Sequence, residues 1–191
     1  CLAFALTQQR DAAGLVLFDE DVDDVIPARF RHGQLRQILV ALEKAARGKS
    51  TDLTKPLARV ADVVRKRGLV VLISDLLAPI EGLERNLGYL AAAGHELVVF
   101  QILDPREIDF GFEEPSLFQD LETGEELYVD PASAKESYRE KLDAHLKAVR
   151  ASCEKLGAVF ELATIDQPLE VVMAEFLLQR ARAKAGGRRR Q

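Results

Sequence analysis

The sequence predicts an α/β domain, doubly wound on a mostly parallel sheet, and three observations carry that prediction. Short, almost unbroken apolar runs alternate with stretches of helical periodicity, as strands buried on both faces of a parallel sheet require. The clearest of these runs end at aspartates: Asp19, Asp75, Asp104 and Asp166. The connections between successive elements are short, and strand, helix, strand in that order implies a right-handed crossover.

Each element follows from its own residues. Leu2, Ala3 and Leu6 share one helical face with no capping residue ahead of them, so a helix is already under way and a missing N-terminal segment is expected. Gly14 to Phe18 and Val22 to Ile26 read as two strands of a hairpin at the sheet edge. Leu35, Ile38, Leu39 and Leu42 then recur at helical spacing within residues 33–46, and Leu53, Leu57, Val60 and Val64 define the next helix. The run from Gly68 to Asp75 is apolar enough to be the central, most buried strand of these residues. Leu83, Leu87 and Leu90 mark a helix stopped by Gly94, and the run from Leu97 to Leu103 ends at Asp104 and Pro105.

Residues 106–130 break this rhythm. Phe110, Phe112 and Phe118 lie among acidic residues there, and Glu122-Thr123-Gly124-Glu125 reads as the turn of a β-hairpin insertion beside the sheet's carboxyl edge. Its phenylalanines are expected to cover that edge. After Pro131 a long helix carries Tyr138, Leu142, Leu146, Val149, Cys153 and Leu156 at spacings of three and four, which turns Cys153 into the core. Val159 to Ile165 is the last strand, and Leu169, Val172, Met173, Phe176 and Leu177 define the final helix. The expected organisation is one domain over residues 1–178, with the insertion at 106–130 and a basic, disordered tail at 179–191.

Composition narrows the function classes. The 191 residues are 48% hydrophobic and 30% charged, with a formal charge of -5, so no global field favours nucleic acid or an anionic membrane. Arg188, Arg189 and Arg190 read as a solvated tail rather than a nucleic-acid anchor. Cys1 and Cys153 form no metal-type spacing and fit free thiols in a reducing compartment. No apolar run approaches the ~18 residues that would span a bilayer, so no membrane span is expected and the expected location is cytoplasmic.

In an open parallel sheet, ligands bind beyond the carboxyl ends of the strands, where Asp19, Asp75, Asp104 and Asp166 all map. Carboxylates on one edge suit a hard divalent cation such as Mg²⁺; each Asp also has a simpler role as a turn or cap residue. Asp75 stands apart because it follows the strand read as most buried. Ser50 or Thr51, in the loop from Gly48 to Leu53, is a plausible helix N-cap and alternatively a second oxygen donor for the same ion. His32, His95 and His145 have no evident partner for nucleophilic catalysis, and His145 reads as a solvated helix-surface residue. Neither a dinucleotide fingerprint nor a phosphate loop follows any strand.

Gly14 to Asp19, Ser50-Thr51-Asp52-Leu53 and Leu69 to Asp75, in this order and spacing, resemble the von Willebrand factor A fold. With Gly94-His95-Glu96, Leu103-Asp104-Pro105, Phe118 to Glu125 and Val129-Asp130-Pro131, the chain resembles more narrowly the family called domain of unknown function fifty-eight. The resemblance covers nearly all of residues 1–178 and implies a metal-ion-dependent adhesion site. In such a site an Asp-x-Ser-x-Ser motif, a loop Thr and a strand-end Asp hold Mg²⁺, and a partner's carboxylate completes the shell. Thr51 matches the loop Thr and Asp75 the strand-end Asp, while Asp-x-Ser-x-Ser is absent from the 191 residues. The resemblance places that motif on a central first strand between the strands at Leu15 to Phe18 and Leu69 to Ser74, so that strand is expected to be missing. Residues 1–191 alone are then expected to be marginally stable, to aggregate and to bind metal poorly. The implied function is protein interaction rather than catalysis, with a MoxR-type AAA+ ATPase as partner. The rival reading is a Mg²⁺-dependent phosphohydrolase or nuclease using the same edge carboxylates, with Lys49 and Lys55 the loop-adjacent cations.

Overall fold

The computed structural model describes residues 1–18, 22–44, 53–64, 66–112, 114–119 and 126–187. The chain folds as two compact units, one within residues 1–65 and the other holding the described residues from 66 onward.

In the first unit, α1 (Leu2–Gln8) precedes a hairpin of β1 (Ala13–Phe18) and β2 (Val22–Arg29), followed by α2 (Gln34–Leu42) and α3 (Thr54–Val63). The hairpin forms as the sequence predicts, with Leu15 opposite Ile26 and Val16 opposite Val25, and among the described residues it is a two-stranded sheet. Gly14 is required by close approach, because a Cβ there would lie 2.6 Å from the Ala28 backbone nitrogen. The expected apolar stripe of α2 needs correction. Gln34, Ile38 and Ala41 are its buried positions, whereas Leu39 and Leu42 are exposed. Gln34 turns inward because its side-chain amide donates to the carbonyls of Ala13 at 2.8 Å and Pro27 at 3.0 Å, closing backbone groups at the hairpin's open end. In and beside α3 the expected Leu53, Leu57 and Val60 are all buried.

The second unit is a three-stranded parallel sheet of order β3-β4-β7, built from β3 (Leu69–Ser74), β4 (Glu96–Leu103) and β7 (Val159–Thr164). Its helices are α4 (Ile80–Ala92), α5 (Pro105–Asp109), α6 (Pro131–Lys155) and α7 (Leu169–Gly187). A short antiparallel hairpin, β5 (Ser116–Gln119) with β6 (Glu126–Val129), occupies the predicted insertion. Helices pack on both faces of the sheet. On one face Phe160 of β7 lies under the Arg150 guanidinium of α6, 5.0 Å from ring centroid to cation. On the other, Phe100 of β4 packs against Phe176 of α7 at 5.3 Å between centroids.

Two expectations change here. The central strand is β4, whose Val98, Val99 and Gln101 are at most 1% exposed, and not β3, where only Leu72 is buried and Ile73 is 59% exposed. Helix α7 runs on to Gly187, well into the segment expected as a disordered tail. Phe110 of the insertion is buried and packs against Phe112 and against Tyr138 of α6, with ring centroids 5.5 and 4.8 Å away. Cys153 is buried as expected.

Candidate functional site

The carboxyl ends of β3, β4 and β7 place Asp75, Asp104 and Asp166 along one edge of the parallel sheet, as the sequence predicts. Their environments separate them. Asp104 caps α5: its carboxylate accepts the Arg106 N–H at 2.8 Å while the Glu107 side chain accepts the Asp104 N–H at 2.9 Å, a reciprocal capping box. Asp166 accepts the Thr164 hydroxyl at 2.6 Å in the turn after β7. Both are therefore engaged in turn and cap structure. Asp19, Lys49, Ser50 and Thr51 lie outside the described residues.

Asp75 is different. Its side chain is exposed, and its two near neighbours are loose: the Leu77 N–H and the Ser74 hydroxyl donate to Oδ1 at 3.4 and 3.3 Å, beyond the usual range. The backbone beneath it is held firmly. Gln101 of β4 donates its Nε2–H to the Asp75 carbonyl at 2.7 Å, and the Ser74 hydroxyl accepts the Leu76 N–H at 3.1 Å. His145 of α6 lies with Nε2 2.7 Å from the Leu76 carbonyl, which can only accept, so Nε2 carries the proton. Leu76 itself is 1% exposed and adopts a left-handed backbone, with φ of 56°.

His145 is thus partly buried and partnered, against its expected place on the solvated helix surface. It shares the α6 face of Leu142 and Val149, three residues after one and four before the other, and that spacing was the available signal. Gln101 also escaped the sequence reading. A lone amide inside the run Val98-Val99-Phe100-Gln101-Ile102 marks a polar side chain in a buried strand, and Gln101 is wholly buried with Oε1 lacking a partner among the described residues.

The donor set fits one carboxylate ligand of a hard cation and little more. Asp75 offers exposed oxygens, the chemistry Mg²⁺ prefers, but Mg²⁺ takes about six ligands. Among the described residues no three His, Cys, Asp or Glu side chains come together as a metal site. No described helix is long and apolar enough to cross a membrane.

Comparison with known proteins places the chain in a family. The model of the family described as "Protein of unknown function DUF58" matches residues 1–152. The uncharacterized protein MAV169 of Mycobacterium avium is 30% identical over 168 residues, 85% of this chain and 98% of that protein. The uncharacterized proteins Mb1516 of Mycobacterium bovis and Rv1480 of Mycobacterium tuberculosis are each 29% identical over 85% of this chain, which spans only 52% of their length. Among solved structures, the conserved hypothetical protein BatB from Bacteroides thetaiotaomicron aligns with a TM-score of 0.58 at 10% identity, over 95% of this chain and 84% of that one. An aerotolerance-related membrane protein from Bacteroides fragilis aligns at 0.53 and 13% identity, over 91% and 82%. At those identities the likeness is one of fold.

Proposed function

The chain belongs to the DUF58 family, and from that premise we propose that it is a cytoplasmic protein-interaction module working through a Mg²⁺-dependent adhesion site of von Willebrand factor A type. Asp75 and Thr51 would each hold the ion through an oxygen. The remaining protein ligands would come from an Asp-x-Ser-x-Ser motif, which residues 1–191 do not contain, and an acidic side chain of the partner would complete the shell. The partner is a MoxR-type AAA+ ATPase, and the pair acts in assembly or maturation of other proteins.

The observation that carries this reading is the contrast at one sheet edge. Asp104 is committed to a helix cap, whereas the Asp75 carboxylate is exposed and weakly bonded on a turn whose backbone is tied down. Bound Mg²⁺ would supply a positive charge able to take a carboxylate oxygen. The chain's own part is to present the Asp75 oxygens in a fixed direction without consuming them in local hydrogen bonds. A free edge also belongs to this reading: β3 pairs only with β4 among the described residues, and its other side suits the strand that would carry Asp-x-Ser-x-Ser.

The test is Mg²⁺ titration and partner capture with the full-length natural protein. Wild type should bind Mg²⁺ and retain a MoxR-type ATPase only when Mg²⁺ is present, and Asp75→Ala should lose both. Mg²⁺-dependent hydrolysis of generic phosphoesters, abolished by the same substitution, would instead establish the phosphohydrolase.

A further inference from the structure

We propose that Gln101 and His145 are positioning residues that aim the Asp75 carboxylate at its cation, an inference that rests on the metal reading above. Two consecutive carbonyls, of Asp75 and Leu76, are each held at 2.7 Å by a side chain from a different element, Gln101 from β4 and His145 from α6. Fixing both carbonyls restrains the peptide planes on the two sides of Leu76. The Leu76 side chain is sunk in the core, and its φ of 56° is one that residues with a Cβ rarely adopt. Strain of this kind persists only where the surroundings over-determine it, and it gathers at functional turns.

Gln101 strengthens the case because its one side-chain hydrogen bond to the backbone among the described residues is spent on the residue that bears the exposed carboxylate. Its neighbours along the most buried strand are apolar, its side chain is fully buried, and Oε1 finds no donor among the described residues. A leucine would suit the core better. The amide secures instead the carbonyl of the residue whose carboxylate is left exposed. A rigid backbone beneath an uncommitted carboxylate is what outer-shell support of a metal ligand requires. The competing explanation is that the two bonds merely seat α6 on the sheet. It predicts a change in melting temperature and none in cation affinity.

The experiment uses the full-length natural protein with His145→Leu, which keeps bulk but removes the donor, His145→Gln, which restores one, and Gln101→Leu. Mg²⁺ itself is the titrant, and backbone hydrogen exchange at Leu76 and Leu77 reads the turn without metal. His145→Leu and Gln101→Leu should each quicken exchange at those amides and weaken Mg²⁺ binding about tenfold or more, with His145→Gln recovering most of the loss. Mg²⁺ affinity untouched by both Leu variants, or exchange at the turn unchanged, overturns the positioning role and leaves the metal reading standing. A wild type with no Mg²⁺ binding that Asp75→Asn removes overturns the metal reading, and this inference falls with it. If Gln101→Leu does not fold, the comparison of His145→Leu with His145→Gln decides alone.

Discussion

Strands β3 and β4 lie side by side in parallel register, Leu69 opposite Glu96 through Ser74 opposite Gln101, and their sequences are almost equally apolar. Their fates differ. β4 has a hydrogen-bonded neighbour on each side and helices over both faces, whereas β3 has one neighbour among the described residues and leaves Ile73 59% exposed. The aspartates that end them differ in the same sense: Asp104 is bound into a capping box and Asp75 is exposed. A continuous apolar run thus records a strand's capacity for burial, not its place in the sheet.

The largest expected effect tests burial directly. Phe100→Ala removes a ring that is 4% exposed and packed on Phe176, so it should cost about 3–5 kcal/mol in denaturant unfolding. Ile73→Ala should stay within about 0.5 kcal/mol in residues 1–191, as an exposed position does. A cost above about 2 kcal/mol for Ile73→Ala in the full-length protein alone would show that another segment covers β3 there.

A second pair of substitutions separates the aspartates. Asp104→Ala should lower stability by about 0.5–2 kcal/mol through loss of the cap, while Asp75→Asn should leave stability nearly unchanged and remove Mg²⁺ binding. Equal stability losses would erase the distinction between the two strand ends.

Smaller effects arise on the same face of the sheet, where Glu161 lies in register with Phe100 and Ile73. Glu161 of β7 is 5% exposed, and its Oε2 lacks a partner among the described residues. Burial, and then Glu175 of α7, raise its pKa from the ordinary 4.5, against the weaker opposing pull of Arg150 and Gln179. The folded state therefore holds the Glu161 proton to higher pH than the unfolded chain. Stability should fall as pH rises from about 4.5 through the folded value and level off above it. Glu161→Gln should flatten that fall, measured by denaturant melts across the range; a slope unaltered by the substitution would show that other groups cause it. Lastly, burial pushes the Cys153 thiol up to about 11, so a thiol reagent at pH 8 should label exposed Cys1 at once and Cys153 only on unfolding. Prompt labelling of both would mean that α6 opens locally.

Much of the fold is legible in the residues. The β1–β2 hairpin, the apolar runs of β3, β4 and β7, the Gly94 stop with φ of 86° and the inward face of α6 at Cys153 all follow from local pattern. Local pattern fails where a distant group decides. Leu39 and Leu42 fit a helical stripe, yet Gln34 takes the inner face of α2 because the carbonyls of Ala13 and Pro27 need a donor. Phe110 packs on the Tyr138 ring of α6, a contact between distant parts of the chain that no periodicity encodes.

The candidate site divides in the same way. Sequence alone determined that Asp75 ends an apolar strand on the edge where ligands bind, because strand length and the turn after it are local properties. The turn and cap roles of Asp104 and Asp166 are equally local, each made within three residues of chain. Only the tertiary structure decided that Gln101 and His145 grip the backbone beneath Asp75. Those last two contacts span 26 and 69 residues of chain. Separations of that size are closed by the packing of β4 and α6 around β3, which depends on every element at once.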